Sequence, residues 1–530
     1  MSAGSPGGTR ERDPAPTSAS TMSPAPSRGP LALAGALAGA AGVVVSQAVA
    51  LVLGAEGPVS SVAAAVRDLT PGRLAIALIH LVGHLDKPLL IGGTAVVLLG
   101  ICAVAGTFAR RRPAVPDYTF LALAALGVAA VLRAPEPALG AVVAIGVGLA
   151  SMMISFRVLS RPLLDAIGAD PADGSRRAFL IRAGVVLLIA GAAAGAGRLL
   201  TSGRRHAEEA RRALRLPVSR GSAPSGSTIG VSGIEPWRTP QDDFYIIHTA
   251  ISPPSISPSE WKLRIHGMVE NEITIDFEEL LARPVTEAWV TLCCVSNEVG
   301  GDLIGNAHWS GVLVRELLEQ AKPLAGADAV KQTSQDGWNC GTPLSILLDP
   351  DRNAMLAYAM NGEALPVDHG FPVRMVVPGL YGYVSATKWV VDLEVTRFAD
   401  FSAYWTDRGW TEKGPVKTSS RVDVPANGAT VKAGKVRIGG SAWAQHTGIA
   451  KVEFQLDGGA WQQAELGRVP AGPSGTDTWV QWVGTVDVAP GDHRLYVRAS
   501  DTSGYVQTAA KADPYPSGAT GWDTHPFSAS

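Results

Sequence analysis

Cysteine is scarce in this chain, since only Cys102, Cys293, Cys294 and Cys340 occur among 530 residues. Four cysteines at such irregular spacing exclude a small disulfide-stabilised scaffold. Net charge is nearly missing as well, because 45 basic side chains face 47 acidic ones and leave a formal charge of −2. No global field therefore indicates a nucleic-acid partner, and we expect none.

Charged residues are also missing from long stretches of the first 200 residues, which are rich in Ala, Gly, Val and Leu. Residues 1–29, rich in Pro, Ser and Gly, are expected to be a disordered cytoplasmic tail. Residues 30–200 are expected to be a membrane domain of about five transmembrane helices, because a run of ~20 apolar residues crosses the hydrocarbon core of a bilayer. The predicted helices occupy 31–53, 88–109, 115–132, 138–156 and 178–200.

Arginines between these runs predict the orientation of the membrane domain. Clusters at 110–112 and 157–177 lie after the second run and between the fourth and fifth, so the positive-inside rule places both in the cytoplasm. The chain after residue 200 is then extracytoplasmic, although five more arginines follow the fifth run, between 204 and 215. Residues 175–180, Ser-Arg-Arg-Ala-Phe-Leu, resemble a twin-arginine export signal, which would explain that conflict. The alternative is that they are ordinary cytoplasmic arginines.

Residues 73–87 contain His80 and His84, one helical turn apart, and Asp86. This pattern is compatible with a quinone or metal site near the membrane surface. We favour the simpler alternative, an interfacial or re-entrant helix with solvated histidines. Two histidines on one face of one helix cannot both be axial ligands of a single haem.

The remaining chain is predicted to contain a linker at 201–232 and two globular domains. Strand-like segments at 261–267 and 287–292 alternate with short helical patterns at 277–282 and 312–321, which favours a mixed α+β domain over 233–405. Residues 406–530 contain short alternating segments at 431–438, 449–456 and 494–499 and a turn at 457–459. This pattern is typical of an immunoglobulin-like β-sandwich.

Cys294 is the main candidate for chemistry. Residues 291–297, Thr-Leu-Cys-Cys-Val-Ser-Asn, place it at the end of an apolar strand and before a loop rich in Asn, Gly and Trp. A thiolate in that position is suited to a redox metal. Two alternatives are a buried inert thiol and a disulfide with Cys340. Cys293 is expected to point from the opposite face of the strand into the core.

Two further segments accompany this motif, residues 358–379 and residues 382–389, which read Gly-Tyr-Val-Ser-Ala-Thr-Lys-Trp. Together the three segments resemble the sulfite oxidase family, and the resemblance covers 234–530. It implies a molybdenum–molybdopterin cofactor whose metal is bound by Cys294. It also implies contacts to the pterin from a set of other residues: Asp242, Tyr245, His248, Thr333, His369, Arg374, Ser385 and Lys388. The C-terminal domain of relatives supports dimerisation, so a homodimer is possible.

Three departures from the family bear on the substrate. Glu298-Val299 follows the cysteine motif where sulfite oxidases have arginines, Ile247 matches another arginine, and Trp338 matches a tyrosine that approaches the metal. An apolar and acidic mouth would not steer sulfite electrostatically. We therefore expect oxygen-atom transfer on a small S- or N-oxide or a sulfur compound, in a pocket lined by Trp338 and also by His308 and Trp309. No haem module is present, so electrons would pass to or from a quinone or a redox protein.

Two other functions compete with a membrane-anchored oxidoreductase. A cofactor-less binding or sensing module would have no reason to retain Cys294, Arg374 and Lys388 together. A transporter is disfavoured because the apolar runs contain few ionisable residues.

Overall fold

The computed structural model describes residues 28–53, 55–71, 74, 85–133, 139–165, 174–200 and 203–530. Within this part of the chain, five helices are long and apolar enough to cross a membrane, as the sequence predicts. Their membrane-spanning candidate segments are Gly29–Val52, Asp86–Phe108, Ala114–Leu132, Leu139–Asp165 and Arg177–Gly195. The predicted histidine pair, His80 and His84, lies outside the described residues.

Helices are numbered in chain order, and the first seven precede the soluble region. They are α1 (Arg28–Val52), α2 (Pro58–Leu69), α3 (Asp86–Phe108), α4 (Ala114–Leu132), α5 (Leu139–Asp165), α6 (Gly174–Leu200) and α7 (Gly203–Ala213).

Helix α1 lies at the centre of the bundle because its glycines allow neighbouring backbones to approach. A Cβ added at Gly35 would lie 2.1 Å from the carbonyl oxygen of Cys102 in α3, and one at Gly42 would lie 2.8 Å from that of Gly148 in α5. Small residues at such crossings are typical of helices that associate in lipid. The outer faces of the bundle expose large apolar side chains such as Val96 and Leu188, which is compatible with contact with lipid.

The soluble region begins with two sheets. The first has the order β2-β1-β10-β5-β6 and the second β3-β4-β7-β8, with β9 paired to β7. Only β1 and β10 pair in parallel within these sheets. The strands are β1 (Lys262–Gly267), β2 (Ile273–Asp276), β3 (Thr286–Cys293), β4 (Ile304–Leu313), β5 (Ala329–Ser334), β6 (Asn339–Pro343), β7 (Met355–Met360), β8 (Glu363–Ala364), β9 (Arg374–Val376) and β10 (Val390–Thr396).

Short helices connect these strands: α8 (Phe277–Leu281), α9 (Val314–Ala321) and α10 (Leu344–Leu347), with 3₁₀ helices at Val367–His369, Gly382–Val384 and Phe398–Asp400. The short helix expected at 277–282 is confirmed, and it begins with a capping box in which Asp276 and Glu279 bond each other's backbone N–H. The helix expected at 312–321 starts two residues later. Val312 and Leu313 belong to β4, because they pair with β7.

The C-terminal region is a sandwich of two sheets, ordered β11-β13-β17-β16 and β12-β19-β18-β14-β15. The strand predicted at 449–456 is confirmed, whereas the one predicted at 431–438 is wrong in its start. The chain forms a two-residue strand there and begins the long strand β13 at Gly434. The elements are β11 (Ser419–Val424), β12 (Thr430–Val431), β13 (Gly434–Trp443), β14 (Ile449–Leu456), β15 (Gln462–Gln463), β16 (Glu465–Leu466), α11 (Pro473–Asp477), β17 (Val480–Val488), β18 (Gly491–Asp501) and β19 (Asp523–Ala529).

Two tryptophans join the sandwich to the sheet that presents Cys294. The indole nitrogen of Trp237 donates to the carbonyl of Trp479 at 3.2 Å, and that of Trp479 donates to the carbonyl of Trp237 at 2.8 Å. Both side chains are at most 1% exposed, and Trp237 also packs on Trp289 of β3 at 4.7 Å between ring centroids. The sandwich therefore supports the strand that leads to Cys294.

This pairing generates a stability prediction. Trp479→Phe retains an aromatic ring but removes one of the two donors to the Trp237 carbonyl, which keeps the Asn306 side-chain amide at 2.9 Å. The loss of this buried hydrogen bond should lower the free energy of unfolding by about 0.5–1.5 kcal/mol. The midpoint of thermal unfolding of the purified protein measures the loss. Trp461→Phe, at a half-exposed position of the sandwich, is the matched control and should change the midpoint little. Equal losses in the two variants would contradict the assigned role.

Candidate active site

The loop after β3 holds Cys294 in a fixed position. The Cys294 N–H donates to the Leu303 carbonyl at 2.9 Å, and the Cys294 carbonyl accepts from the Asn297 N–H at 3.0 Å. The buried Asn297 side chain closes the loop by accepting from the Leu303 N–H at 2.9 Å. The Asn in the Cys-Val-Ser-Asn motif is therefore a structural brace for the cysteine.

The Cys294 thiol is buried and unpaired. Burial raises its pKa, whereas hydrogen bonds from Ser296 and the positive charge of Lys388 act in the opposite direction. All four cysteines are free, so the alternative of a disulfide with Cys340 is wrong, and the Cys340 sulfur instead lies 3.3 Å from the Thr387 hydroxyl. Cys293 packs within the larger hydrophobic core, on the other face of the strand as expected.

Two buried cations lie near this thiol. Arg374, at the start of β9, is 3% exposed and lies 5.1 Å over the Trp309 ring, and burial lowers its pKa to about 10. Lys388 is 9% exposed and donates to the Asp368 carbonyl at 2.8 Å, and burial lowers its pKa well below the usual value. Among the described residues, neither cation forms a salt bridge with a carboxylate, although the charge of Asp368 acts on Lys388. Both cations therefore lack a directly paired counter-charge.

A glycine brings the two cations together. Gly370 follows the 3₁₀ helix Val367–His369 with a φ of +108°, a conformation that side-chain-bearing residues rarely adopt. A Cβ at this position would lie 3.0 Å from the Cβ of Arg374 and 3.1 Å from that of Lys388. The close approach of Arg374 and Lys388 therefore depends on the absence of a side chain at Gly370.

Two histidines complete this cluster, which we call the cation cradle (Arg374, Lys388, His248 and His369). His369 is buried, its Nε2 lies 3.3 Å from the Gln241 carbonyl, and its Nδ1 has no partner among the described residues. His248 packs edge-on against Trp389 at 5.5 Å between ring centroids. Burial, assisted by Lys388, lowers the pKa of each histidine to about 3, so both are neutral at physiological pH.

The other predicted site residues occupy varied positions. Tyr245 stacks on Phe244 at 5.2 Å between ring centroids. Burial raises the pKa of its hydroxyl well above the usual value, Cys294 and Cys293 raise it further, and Arg374 acts in the opposite direction. The buried Ser385 hydroxyl donates to the Tyr381 carbonyl at 2.9 Å. Thr333 is half-buried in β5 next to Ser334, whose buried hydroxyl has no partner among the described residues.

Two predicted residues lie at the edge of this arrangement. Asp242 is exposed in the turn before Phe244, and its neighbour Gln241 is the residue that contacts His369. Trp338 is half-buried in the hairpin between β5 and β6, where its carbonyl accepts from the Ser334 N–H at 2.8 Å. Of the other expected pocket residues, Trp309 packs under Arg374. His308 lies apart, because alternate residues of β4 point to opposite faces and its ring packs on Trp289.

Several contributors were missed by sequence reasoning. Gln241 and Phe244 contact His369, the Asp368 carbonyl accepts from Lys388, and Trp389 supports His248. Lys87, from the membrane region, lies 3.0 Å from His248 Nδ1. Phe244 lies in the segment 241–248 with three predicted site residues, and Trp389 directly follows Lys388, so their positions in the sequence could have indicated both. No pattern in the sequence connects Lys87 to this site.

Comparisons with known proteins identify two domains and several relatives of this region. Residues 249–405 match the model of the oxidoreductase molybdopterin-binding domain, and 419–497 match that of a bacterial Ig domain. An uncharacterized oxidoreductase, YuiH of Bacillus subtilis, is 30% identical over 181 residues, which cover 34% of this chain and 87% of that protein. Rat mitochondrial sulfite oxidase is 28% identical over 292 residues, or 47% of this chain and 53% of that protein. The chain belongs to the sulfite oxidase family of molybdopterin-binding oxidoreductases.

The chain spans about half the length of the mammalian sulfite oxidases that it matches. Among solved structures, the sulfane dehydrogenase SoxCD from Paracoccus pantotrophus is 24% identical, covering 56% of this chain and 79% of that chain, with a TM-score of 0.45.

Membership of the sulfite oxidase family implies a molybdenum cofactor, and the residues present fit one. The phosphate end of a pterin cofactor is anionic and requires cations and N–H donors. The cradle offers two uncompensated buried cations and an unpartnered His369 Nδ1. An uncompensated charge is costly inside a protein, so the chain retains this arrangement only if an anion completes it.

The cradle glycine generates a prediction. Gly370→Ala should lower the molybdenum content of the purified protein at least several-fold, because the added Cβ separates Arg374 from Lys388. Inductively coupled plasma mass spectrometry measures molybdenum per chain. Gly428→Ala is the matched control, since its φ is +73° and no atom lies within 4 Å of the added Cβ. Wild-type molybdenum content in Gly370→Ala would contradict the assigned role of the glycine.

Proposed function

We propose that this protein is a membrane-anchored, extracytoplasmic molybdenum-cofactor oxidoreductase. It transfers an oxygen atom to or from a small S- or N-oxide or a sulfur compound and exchanges electrons with an external or membrane partner. The observation that carries the proposal is the position of one braced, buried thiol, Cys294, beside a cradle of cations that lacks counter-charges.

Each part of the site has a distinct task in this proposal. When bound, molybdopterin would supply a molybdenum centre that changes oxidation state by two electrons as an oxygen atom is transferred. Cys294 supplies a soft thiolate ligand, and the braced loop fixes its direction. Arg374 and Lys388 hold the anionic end of the cofactor, and Tyr245 places a neutral hydroxyl near the thiol. Trp338 is assigned to the substrate side, where it would exclude water.

The substrate is proposed to be uncharged near its reacting atom. Ile246 and Ile247 are 49% and 46% exposed in the loop that covers the site, so they present an apolar rim. In the family pattern, the position of Ile247 carries an arginine. An apolar rim offers no Coulombic attraction to sulfite but accommodates a neutral sulfoxide or N-oxide.

The arginines after the fifth span support an extracytoplasmic soluble region. Arg204 pairs with Asp368 at 2.6 Å, and Arg211 donates to the carbonyls of Ala364 and Leu365 at 3.1 and 2.9 Å. These two charges are therefore part of the folded catalytic domain and do not act as free cytoplasmic anchors. A domain folded around its cofactor before export would carry them across, and the twin-arginine-like segment at 175–180 provides such a route.

The electron partner is proposed to be a quinone or a redox protein at the membrane surface. Helix α2 docks on the catalytic domain, since Arg67 donates to the Thr249 carbonyl and Asp68 accepts from the Tyr404 hydroxyl at 3.2 Å. The catalytic domain is thereby held against the membrane region, where a lipid-soluble carrier is accessible. A homodimer through the sandwich is the further possibility that we propose from the family.

Metal analysis tests the proposed function. Wild-type protein from a host that makes the cofactor should contain equimolar molybdenum, and Cys294→Ser should lose the metal or its activity because serine replaces the soft thiolate by a harder oxygen ligand. Cys293→Ser, one residue away and facing the core, is the matched control. Molybdenum-free wild-type protein would reject the proposal and favour a binding or sensing module.

Substrate charge provides a second test. Ile247→Arg should raise kcat/KM for sulfite roughly tenfold at low ionic strength, because one added cation at the rim attracts an anion. The gain should fall at high salt, where the charge is screened within about 3 Å. Ile246→Arg, at the neighbouring exposed position, is the control and should give a smaller gain. Equal turnover of sulfite and a neutral sulfoxide by wild-type protein would contradict the neutral-substrate assignment.

A further inference from the structure

One cation of the membrane region reaches the catalytic site. Lys87 lies in the first turn of α3, and its Nζ is 3.0 Å from Nδ1 of His248, a member of the cation cradle. The neighbouring carboxylate of Asp86 accepts from the Lys87 backbone N–H at 2.7 Å and forms no salt bridge with the Lys87 ammonium. Within the part of the chain that the structure describes, Lys87 forms no salt bridge. Its charge is therefore directed at the cradle.

Contacts at His248 determine what Lys87 does there. Nδ1 lies 3.0 Å from the Lys87 ammonium and 3.1 Å from the Ala250 carbonyl. An ammonium only donates hydrogen bonds and a carbonyl only accepts them, so these two contacts make opposite demands on the hydrogen of Nδ1. Lys87 and the Ala250 carbonyl both contact Nδ1, so Nε2 is the ring nitrogen that remains for a ligand.

The same indole ring supports both His248 and Lys388. The His248 ring lies 5.5 Å from the Trp389 centroid, and the Lys388 ammonium lies 5.7 Å from it. The closest acidic side chain of this segment, Asp368, is already paired with Arg204 at 2.6 Å. Three cations, Lys87, Lys388 and Arg374, thus surround the site without a paired carboxylate among the described residues. This charge pattern requires an anion with more than one negative charge, such as a phosphate monoester.

We propose that Lys87 is the third cation of the cofactor site, where it binds the pterin phosphate directly or through His248, so that the membrane region completes the site. This inference rests on the proposed function. It adds that the membrane helices do more than anchor the enzyme, because one of them supplies a positive charge in contact with a cofactor-binding histidine. It also makes bound cofactor a bridge between α3 and the catalytic domain.

Cofactor retention tests the role of Lys87 independently of turnover. Full-length wild type, Lys87→Met, Lys87→Arg and Arg67→Met are purified in the same detergent. Pterin is released by acid oxidation and measured by fluorescence per chain, before and after dialysis against inorganic phosphate. Lys87→Met should lose pterin about tenfold faster than wild type during dialysis, whereas Lys87→Arg should retain it. Arg67→Met removes a docking contact without removing the cation, so it should behave as wild type.

The outcomes separate the two proposals. Wild-type pterin retention in Lys87→Met overturns the role of Lys87 and leaves the proposed function intact. Equal losses in Lys87→Met and Arg67→Met also overturn it, because they assign the effect to docking alone. Wild-type protein without pterin, from a host that makes the cofactor, overturns the proposed function and this inference together.

Discussion

Uncompensated positive charge in a buried site is the constraint on which this structure depends. Arg374 and Lys388 are nearly inaccessible, and no carboxylate among the described residues forms a salt bridge with either. Burying one unpaired cation costs several kcal/mol, so burying two in contact with one glycine is tolerable only around an anionic ligand. The residues around the two cations reflect the same constraint. His369 stays neutral beside them, and the rings of Trp309 and Trp389 face Arg374 and Lys388. The folded chain alone therefore provides no paired counter-charge for the two cations of this site, and a bound anion would supply it.

The sequence predicts most of the architecture and the central residues. Uncharged runs predict the five long helices, and period-two alternation predicts β1 and β14, because burial on one face of a sheet constrains every second residue. The Cys, Arg and Lys motifs predict the thiol and the two cations that the structure places together. The start of β13 was not predicted, since Lys432 and Ala433 continue the alternating pattern although the chain turns there. Local patterns describe faces of strands, and they do not describe where pairing ends.

Contacts between distant segments were beyond the sequence for a different physical reason. Lys87 and His248 are separated by 161 positions, and Trp237 and Trp479 by 242. Such contacts form when whole domains pack on each other, and the sequence around either residue of a pair does not indicate its partner. His308 shows the converse case. It lies beside Trp309 in a motif, but strand alternation sends its ring to the other face, against Trp289. Proximity in a motif therefore indicates a shared loop or strand and not a shared site.

The docking of the membrane region has a consequence for the order of assembly. Arg67 contacts the carbonyl of Thr249, and Lys87 contacts His248, so α2 and α3 both contact the segment 248–249 beside the cation cradle. Without the cofactor, bringing Lys87 toward Lys388 and Arg374 adds like charges in a poorly hydrated site, which opposes docking. With a phosphate present, the same approach becomes attractive. Under the proposed function, loading of the catalytic domain therefore precedes its docking on the membrane helices, which is the order that export of a folded domain requires.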